Sequence, residues 1–437
     1  MDYDVSIIIA CYNEEQILKQ HVKEIQAVMN KNNYSYELIF VDDASEDKTR
    51  DVILDISKNN QNTRYFFSAE NIGRGGSIVE GIKMAKGKIA GFLDIDLEIQ
   101  ANYIPAMVEA VNAGYDIATA RRFYQMTLKP TAIIRYILSI SYQQLRRCFL
   151  NVPLKDTEAG FKFFNREKIL PLIEKTKNKG WFWDTEIMAI SYYSGLKIKE
   201  IPCLFIKNHN IKSKVRIFSS SLNYFIELCK FKKSLMLGEN KGIIYWNPTI
   251  YRFFMQLLYG KNFYARYKAI AEYIPEHSSV IDVCCGDGYL YYDFLKPKNI
   301  EYTGLDINVA FILDAQSKKV NVRLFDVKSD PLPKAEYIVM QASLCQFIPD
   351  QNIILEKLLN SATKAVIISE PIQNLSNSRN PIISFMVRKL AKLTTGSTVE
   401  RFNEKSLEEL FNKHNSLLKA RFKIPGGREM IGVFERK

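Results

Sequence analysis

Apolar residues form short runs that alternate with longer segments in which apolar positions recur with helical spacing. In the first half of the chain, the segments with helical periodicity are Glu15–Met29, Thr49–Lys58 and Ser77–Ala85. The short runs around them are rich in β-branched residues and are predicted to be strands: Val5–Ala10, Tyr36–Val41, Thr63–Ser68 and Ile89–Leu93. This alternation predicts an α/β fold with a parallel sheet.

A second series of the same kind begins near Ser279. Its predicted strands are Ser279–Val283, Glu301–Leu305, Asn321–Phe325, Tyr337–Gln341 and Ala365–Ser369. Between the two series, the polar stretch around Leu237–Lys241 interrupts the pattern. The sequence therefore predicts two α/β domains, covering residues 1–237 and 238–437.

Composition is that of a folded protein of this size. The 437 residues are 47% hydrophobic and 25% charged, and the formal net charge is +12, spread along the whole chain. This charge favours anionic partners, namely nucleotide phosphates, nucleic acid or an acidic membrane surface, without choosing among them. The basic residues form no patch interleaved with aromatic residues, so no nucleic-acid partner is expected.

Cysteine and histidine usage indicates a reduced, cytoplasmic protein. None of the 7 cysteines forms a C-x-x-C pair, and the 4 histidines are far apart, so no zinc site is expected. The acidic start of the chain leads directly into an apolar strand, which is unlike a signal peptide. No apolar run is long enough to cross a bilayer, so we expect a protein that is not integral to a membrane.

Residues Arg216–Leu237 mix aromatic and aliphatic residues with Lys230, Lys232 and Lys233. One interpretation is a helix that packs on its own domain. The other is a basic amphipathic helix that rests on a membrane surface. The sequence leaves both open.

Polar residues follow the predicted strands of the first domain. Tyr12 and Glu14 come after the first strand, and Asp42 ends the second. Because ligands bind at the carboxyl ends of strands in open α/β sheets, these side chains are expected to face a crevice. Further along, the glycine-rich stretch around Arg74 precedes a helix, and both the arginine and the helix N-terminus favour a diphosphate.

A group of acids follows the fourth predicted strand. Asp94, Asp96 and Glu98 alternate, and on an extended segment they would point to one side. Three carboxylates repel one another unless a cation lies between them, and oxygen ligands suit Mg²⁺ or Mn²⁺. We therefore expect a metal site that also binds the phosphates of a substrate.

Over residues 4–220 the sequence resembles the family 2 glycosyltransferases of GT-A fold. Within them it is similar to the polyprenyl-phosphate (dolichyl-phosphate) mannose and glucose synthases. The motifs that carry the resemblance are SIIIACYNEE, VDDASEDKT, NIGRGGSIVEGIKMAKG, DIDLE, ARR at 120–122, DTEAGFKFF at 156–164, WFWDTE at 181–186 and SKVR at 213–216.

The resemblance implies a GDP- or UDP-hexose donor and a polyprenyl phosphate acceptor, used at the inner face of the cytoplasmic membrane by a peripheral protein. It implies that Tyr12, Glu14 and Asp42 contact the nucleotide. The metal ligands would be Asp94, Asp96 and Glu98, where the third position is commonly Gln in the family. Residues that hold donor and acceptor phosphates would be Arg121, Arg135, Ser139 and Arg216.

The chemistry depends on the acceptor. A phosphate monoester is already anionic near neutral pH, so it needs orientation more than deprotonation. We expect the metal at Asp96 and the charge of Arg121 to stabilise the leaving diphosphate during an inverting attack. A sugar hydroxyl would instead need a base, for which Asp184 or Glu186 is the candidate. Asp156 is either catalytic or a structural cap of its turn.

The second domain contains its own candidate site. A buried strand leads into a glycine-bearing turn at Gly286 and Gly288, and Asp306 ends the next strand about twenty residues on. This spacing fits a nucleoside cofactor whose ribose is bound by the second acid. The glycine pattern is unlike that of dinucleotide-binding proteins.

From Ile243 to Lys437 the sequence resembles the Rossmann-like class I methyltransferases that use S-adenosylmethionine. The resemblance implies that this cofactor is bound by Asp282, Gly286, Gly288, Asp306 and Asp326. Two positions depart from the family: Cys284 replaces a usual glycine, and Gln346 replaces a frequent histidine, which leaves no obvious base. The domain is expected either to methylate an intermediate of the same pathway or to be a non-catalytic binding or docking module. The oligomeric state is not predicted.

Overall fold

The computed structural model describes residues 3–58, 60–124, 143–144, 146–206, 217–237, 247–373 and 401–436. The chain forms two compact units, Met1–Lys232 and Lys233–Lys437. Each contains one seven-stranded sheet. The boundary predicted between residues 237 and 238 lies a few residues beyond the one that separates these units.

The sheet of the first unit has the strand order β3-β2-β1-β4-β6-β5-β7. Its strands are β1 Val5–Cys11, β2 Tyr36–Asp42, β3 Thr63–Phe67, β4 Ile89–Leu93, β5 Ile117–Tyr124, β6 Phe161–Asn165 and β7 Ile198–Phe205. The four predicted strands correspond to β1–β4, which are parallel to one another. β6 is antiparallel to both β4 and β5, so the sheet is mixed where the sequence predicted a parallel one.

The helices of this unit cover the sheet. They are α1 Leu18–Lys31, α2 Thr49–Lys58, α3 Arg74–Met84, α4 Ile104–Asn112, α5 Arg166–Ile173, α6 Trp183–Tyr193 and α7 Ile217–Leu237, of which α7 continues into the second unit. The central strand β1 is buried on both faces: Ile7, Ile8 and Ile9 are all 0% exposed. Such strands are continuous apolar runs without alternation, which is why β1 could be predicted from the sequence.

The sheet of the second unit has the order β10-β9-β8-β11-β12-β14-β13. Its strands are β8 Ser279–Val283, β9 Glu301–Asp306, β10 Val322–Leu324, β11 Ala335–Gln341, β12 Ala362–Pro371, β13 Leu418–Lys423 and β14 Glu429–Glu435. The predicted strands correspond to β8–β12, which are parallel. β14 runs antiparallel to β12 and β13 and was not predicted.

The helices of the second unit are α8 Pro248–Tyr259, α9 Phe263–Glu272, α10 Val309–Ser317, α11 Gln351–Ser361 and α12 Glu404–Lys413. The α/β class predicted for both halves of the chain is confirmed. Across the described ranges, no helix combines the length and apolar character needed to span a bilayer.

Candidate active sites

The loop after β1 is hydrogen-bonded to the loop after β2. The amide of Asn13, which has a φ of 55°, donates to Oγ of Ser45 at 2.9 Å, and the amide of Glu14 donates to Oγ1 of Thr49 at 2.8 Å. In return, Oδ1 of Asn13 accepts from the amide of Glu46 at 2.8 Å. These bonds hold both loops together at the carboxyl edge of the sheet.

Asp42 ends β2 at this edge and is fully buried. Its Oδ2 accepts from Nε of Arg50 at 2.7 Å and from the amide of Ser45 at 3.2 Å. Among the described residues, Oδ1 has no hydrogen-bond partner. An acceptor oxygen is therefore left for a ligand that donates, as a nucleoside does. Tyr12 lies in the same loop region and is 38% exposed.

Arg74 begins α3 and connects two acids. Its Nε and Nη2 donate to Oδ1 of Asp94 at 2.9 and 2.7 Å, and its Nη1 donates to Oδ2 of Asp184. The guanidinium also lies 5.0 Å from the ring centre of Trp181. In this structure the guanidinium of Arg74 binds two carboxylates. Its predicted contact with a diphosphate stays a prediction.

Because Gly160 has no side chain, the carboxylate of Asp94 can occupy the space beside it. A Cβ on Gly160 would lie 1.8 Å from Oδ2 of Asp94. The two residues meet because β6 pairs antiparallel with β4, and the amide of Asp94 donates to the carbonyl of Gly160 at 2.9 Å. Sequence reasoning included this glycine in a motif but missed its role.

The acids after β4 lie on a turn. The amide of Leu97 donates to the carbonyl of Asp94 at 3.1 Å, Leu97 has a φ of 50°, and the amide of Glu98 donates to Oδ1 of Asp96 at 3.2 Å. The prediction of an extended segment with alternating acids is therefore wrong. Burial, with the charges of Asp94, Glu98 and Glu14, nevertheless raises the pKa of Asp96 to about 7.

In the part of the chain that the structure describes, no three His, Cys, Asp or Glu side chains are placed to share one metal ion. The predicted set Asp94, Asp96 and Glu98 is thus not assembled as a three-ligand site. Asp94 and Asp96 remain the candidate ligands. Two carboxylates suffice for Mg²⁺ when substrate phosphates supply further oxygens.

Asp156 has a structural role in this fold. It makes a two-pronged ion pair with Arg122, with Nε to Oδ2 at 2.7 Å and Nη2 to Oδ1 at 3.0 Å. Its Oδ1 also accepts from the amide of Glu158 at 3.1 Å, which caps the turn. The pKa of Asp156 is lowered because Arg122 outweighs burial. This geometry favours the structural alternative over the catalytic one.

Asp184 is poorly placed to act as a base. It is buried, and Lys162 donates to its Oδ1 at 2.5 Å while Arg74 binds its other oxygen. Glu186 is also buried, and it accepts from the amides of Lys177 and Asn178. Neither carboxylate is accessible to a sugar hydroxyl, so the structure does not support their predicted alternative role in deprotonation.

Of the predicted phosphate ligands, Arg121 is described. It lies in β5, with its guanidinium 4.7 Å from the ring centre of Phe123. No ion pair involving Arg121 is found in the described ranges. Arg135, Ser139 and Arg216 lie outside the described residues.

Helix α7 packs on the first unit. The ring of Phe182 lies 4.9 Å from that of Tyr224 and 5.6 Å from that of Phe231, and Tyr224 also bonds to a threonine hydroxyl of α6. These contacts confirm the interpretation of a helix packed on its own domain. Phe225 and Ile226, on the same helix, are 39% and 41% exposed.

The glycine-bearing turn of the second unit follows β8. Gly286 and Gly288 have φ values of 57° and 70°, a region that favours glycine, and Cys284 has a φ of 58°. A glycine, which the resemblance to class I methyltransferases implies at position 284, would adopt this conformation without strain. Apart from Gly286 itself and its two chain neighbours, no heavy atom of the described chain lies within 4 Å of a Cβ placed on Gly286, so the turn has open space there.

Asp306 is tied to this turn. Its Oδ2 accepts from the amide of Gly286 at 2.8 Å, and its Oδ1 accepts from the amide of Asn308 at 2.8 Å. Asp282, within β8, accepts from the hydroxyl of Tyr302 at 2.9 Å. Burial raises the pKa of Asp282 to about 7. The structure thus brings together the predicted residues Asp282, Gly286 and Asp306.

Asp326 caps a turn of its own. Its Oδ1 accepts from the amide of Lys328 at 2.9 Å, and its Oδ2 from the hydroxyl of Ser329 at 3.1 Å. Its contact with an adenine stays a prediction. Asp287, which sequence reasoning passed over, pairs with Nε of Arg252 at 2.9 Å.

Glu370 is another residue that sequence reasoning missed. It is fully buried at the carboxyl end of β12, and its Oε1 accepts from the amides of Ser343 and Leu344 at 2.7 and 2.6 Å. The antiparallel strand that buries it, β14, lies far away in sequence. No local motif identifies such a residue.

Comparison with known proteins bears on the first unit most strongly. Residues 6–170 match the model of glycosyl transferase family 2. This region is therefore similar to family 2 glycosyltransferases. The predicted fold class, a GT-A domain followed by a Rossmann-like domain, is confirmed.

Among curated relatives, glycosyltransferase AglD of Haloferax volcanii is 28% identical over 204 residues, which cover 46% of this chain and 32% of AglD. Dolichyl-phosphate beta-glucosyltransferase of Saccharomyces cerevisiae is 27% identical over 255 residues, covering 54% of this chain and 75% of the yeast protein. The chain thus spans about a third of the first relative and three quarters of the second.

A solved structure of glucosyl-3-phosphoglycerate synthase from Mycobacterium tuberculosis aligns with a TM-score of 0.41 at 17% identity, covering 53% of this chain and 80% of that one. In the second unit, residues 264–384 match the family model described as methionine biosynthesis protein MetW.

Proposed function

We propose that the first unit transfers a hexose from a nucleotide sugar to a polyprenyl phosphate, with inversion at the anomeric carbon. The observation that carries the proposal is that Glu14 follows β1 while Asp94 and Asp96 follow β4, and these two strands are adjacent and parallel, so the acids lie at the same carboxyl edge of the sheet. Burial and the charges of Asp94, Glu98 and Glu14 raise the pKa of Asp96 to about 7. The match of residues 6–170 to glycosyl transferase family 2 supports sugar transfer as the reaction at this edge of the sheet.

Donor binding is assigned to the loops after β1 and β2. The buried Oδ1 of Asp42, which has no partner among the described residues, can accept a hydrogen bond from the nucleoside. Glu14 and Tyr12 lie in the adjoining loop. Because yeast dolichyl-phosphate beta-glucosyltransferase is among the relatives, UDP-glucose is the first donor to test.

A divalent cation, Mg²⁺ or Mn²⁺, fits the carboxylates of Asp94 and Asp96. Two clustered acids, one of them with a pKa raised by burial and by its neighbours, are stabilised when a cation neutralises them. The ion would supply charge neutralisation for the leaving diphosphate. Arg74 and Gly160 hold Asp94 in position for it.

A lipid phosphate is favoured over a sugar hydroxyl as the acceptor. The two candidate bases, Asp184 and Glu186, are buried and occupied by hydrogen bonds, whereas a phosphate monoester needs no base. Arg121 forms no ion pair with an acidic residue in the described ranges, so its charge is available to orient this phosphate. The predicted ligands Arg135, Ser139 and Arg216 remain part of the proposal.

Extraction of lipid from reactions with radiolabelled UDP-glucose tests the acceptor. Label in the organic phase that depends on added undecaprenyl or dolichyl phosphate is expected. Label that stays in water-soluble glycan, with no lipid-linked product, would support the alternative of a polysaccharide-extending enzyme and overturn the proposal.

For the second unit we propose methyl transfer from S-adenosylmethionine to an intermediate of the same pathway. The support is Asp306, which binds the open glycine turn at Gly286, together with the match to the MetW model. Isothermal titration with S-adenosylmethionine is the test. Absence of binding would favour the alternative of a docking module.

We also propose that the protein works as a peripheral protein on the cytoplasmic face of the membrane. Phe225 and Ile226 are exposed on α7 near Lys230, whose side chain is 67% exposed, and apolar residues beside basic ones suit an anionic lipid surface. Sedimentation with phosphatidylglycerol vesicles should be lost in the double variant Phe225→Glu, Ile226→Glu. Equal sedimentation of this variant and the wild type would contradict the proposal.

A further inference from the structure

Strand β7 exposes apolar side chains along one of its faces. Leu204 is 40% exposed, and Ile206, which directly follows the strand, is 42% exposed. Phe123 of β5 is paired in register with Leu204 and is 44% exposed. Paired residues, and residues two positions apart on a strand, share a face of the sheet, so these side chains lie together with the exposed Pro202. We call Phe123, Pro202, Leu204 and Ile206 the β5–β7 surface.

The opposite face of β7 belongs to the core of the first unit. Cys203 is buried there, and Phe205 packs against the same core cluster. A strand that is buried on one face and solvated on the other normally alternates apolar with polar residues. From Pro202 to Ile206 every residue is apolar instead, including those that face solvent. An exposed apolar surface of this kind is typical of a binding site.

A cation borders the β5–β7 surface. Arg121 is paired in register with Pro202, and the centre of its guanidinium lies 4.7 Å from the ring centre of Phe123. It forms no ion pair in the described ranges. The guanidinium is therefore held against the apolar surface with its charge available to an anion. A ligand that has a phosphate next to an apolar chain would match both parts.

The β5–β7 surface shares a face of the sheet with the first acid after β4. Strand β6 lies between β4 and β5, and its Lys162 is paired in register with Phe92 of β4 and with Thr119 of β5. Two residues further towards the carboxyl edge, β4 and β5 reach Asp94 and Arg121, so these two side chains also share one face. Neighbouring strands are ~4.8 Å apart, which places the backbones of Asp94 and Arg121 about 10 Å from each other.

Across the sheet, the order is thus acids, cation, apolar surface. In an inverting displacement, the attacking phosphate and the leaving diphosphate lie on opposite sides of the anomeric carbon. If the diphosphate lies near Asp94 and Asp96, an attacking phosphate at Arg121 lies towards β5. The chain that this phosphate carries then leads away over β7.

We propose that the β5–β7 surface binds the isoprenoid chain of the acceptor, with Arg121 at its phosphate and the first isoprene units on Phe123, Leu204 and Ile206. This inference rests on the proposed sugar transfer and adds the part of the protein that recognises the lipid chain. The surface takes no part in bond making. It selects phosphates that carry an apolar chain.

The chemistry of the surface favours this occupant over a glycan. The side chains of Phe123, Pro202, Leu204 and Ile206 have no polar atoms, so the hydroxyls of a glycan would lose water here without gaining hydrogen bonds, which is unfavourable. An isoprenoid chain loses only unfavourable contact with water, a gain of ~25 cal/mol for each Å² of apolar area buried.

The test uses citronellyl phosphate, a ten-carbon isoprenoid phosphate, without vesicles or detergent, so that adsorption to a membrane plays no part. Transfer of radiolabelled glucose from UDP-glucose is measured with the full chain and Mn²⁺. The double variant Leu204→Thr, Ile206→Thr keeps residues that favour strands but removes apolar contact area. Its KM for citronellyl phosphate should rise about tenfold, while its kcat and its KM for UDP-glucose stay at the wild-type values.

Two controls separate chain binding from other effects. The matched variant Tyr65→Thr, Phe66→Thr changes two similarly exposed side chains on β3, at the opposite edge of the same sheet, and should have the wild-type KM. Ethyl phosphate has the same phosphate and almost no chain. As an inhibitor of the transfer it should be equally effective against the wild type and Leu204→Thr, Ile206→Thr.

An unchanged KM of Leu204→Thr, Ile206→Thr for citronellyl phosphate would overturn the inference. So would an equal loss of affinity for ethyl phosphate, since the effect would then not concern the chain. A variant that differs from the wild type only in vesicle sedimentation or in self-association would show that a membrane or a second copy occupies the surface, which also overturns it.

A binding measurement distinguishes failure of the inference from failure of the proposed transfer. Saturation-transfer NMR of the citronellyl methyl groups, with UDP and Mn²⁺ present, should give a signal in the wild type that weakens in Leu204→Thr, Ile206→Thr. This result without any transfer of sugar to citronellyl or undecaprenyl phosphate would overturn the proposed transfer and support the chain-binding surface. Transfer by the wild type together with equal NMR signals from both proteins would overturn the inference alone.

Discussion

Arg74 and Asp94 are joined by two hydrogen bonds, from Nε and Nη2 to the same carboxylate oxygen, at 2.9 and 2.7 Å. The third nitrogen of the arginine reaches Asp184, which Lys162 holds from the other side. The start of α3 thereby sets the position of the first acid after β4. The proposed sugar transfer depends on this arrangement.

Arg74→Lys should therefore reduce sugar transfer at least about tenfold, since a lysine cannot reproduce the fork that binds two carboxylates. Binding of Mn²⁺, followed by electron paramagnetic resonance, should weaken too, because Arg74 holds the carboxylate of Asp94 in position for the metal. Arg64→Lys is the control: Arg64 reaches Glu37 through one nitrogen, at 3.3 Å, which a lysine can replace. Equal transfer by both variants would contradict the role of Arg74.

Asp184→Ala should destabilise the first unit. Lys162 is fully buried, and removing its partner leaves an uncompensated charge, a change that costs about 3–5 kcal/mol of the free energy of unfolding. Urea unfolding followed by Trp fluorescence measures the effect. Asp55→Ala, which breaks an exposed pair with Lys19, should leave the unfolding midpoint unchanged. Similar midpoints for the two variants would count against a structural role of Asp184.

Gly160→Ala should abolish sugar transfer while the protein still folds. The added Cβ would lie 1.8 Å from Oδ2 of Asp94, so the carboxylate must move from its position beside Arg74. Gly180→Ala is the matched control, because its Cβ would meet its nearest neighbour, Asn178, at an ordinary 3.5 Å. Full activity of Gly160→Ala would show that the position of Asp94 does not matter.

Much of this arrangement could be predicted from the sequence. Strands β1–β4 and β8–β12 correspond to short runs rich in β-branched, aromatic and other apolar residues. The polar residues at their ends, such as Asp42 and Asp306, mark the carboxyl edges of both sheets. Parallel strands place these ends together whatever the details of packing. The candidate sites therefore follow from strand order alone.

The remainder depends on contacts that no local pattern encodes. Pairing of β6 against β4 brings Gly160 to Asp94, and pairing of β14 against β12 buries Glu370. The sequence predicted an extended segment after β4, but the structure has a turn there, in which the amide of Leu97 donates to the carbonyl of Asp94. The alternation of side chains along the sequence does not reveal such a hydrogen bond. Roles that depend on such long-range pairing, as for Asp184, could not be assigned from spacing.

The stability of the second unit should depend on the ionisation of Asp282. Burial raises the pKa of this group to about 7 in the folded protein. Between its unfolded value, about 4, and about 7, the folded state alone binds the proton, so stability falls as the pH rises through this range, by up to about 1.4 kcal/mol per pH unit. Above a pH of about 7, the stability that the protonated carboxyl of Asp282 contributes is fully lost.

Asp282→Asn removes this titration. Hydrogen exchange of a peptide covering Ser279–Val283, corrected for intrinsic rates, gives the free energy of opening at pH 5, 6 and 7. The wild type should lose protection over this range relative to the variant. Parallel profiles would mean that Asp282 is ionised throughout and would contradict its raised pKa.

The central claim is that the acids after β4 support transfer of a sugar to a lipid phosphate. Its most direct test measures radiolabelled glucose in the organic phase after incubation with UDP-glucose, undecaprenyl phosphate and Mn²⁺, for the wild type, Asp96→Asn and the exposed control Asp51→Asn. We predict lipid-linked label with the wild type and with Asp51→Asn, and its loss with Asp96→Asn or with a chelator. Undiminished lipid-linked label with Asp96→Asn would contradict the account.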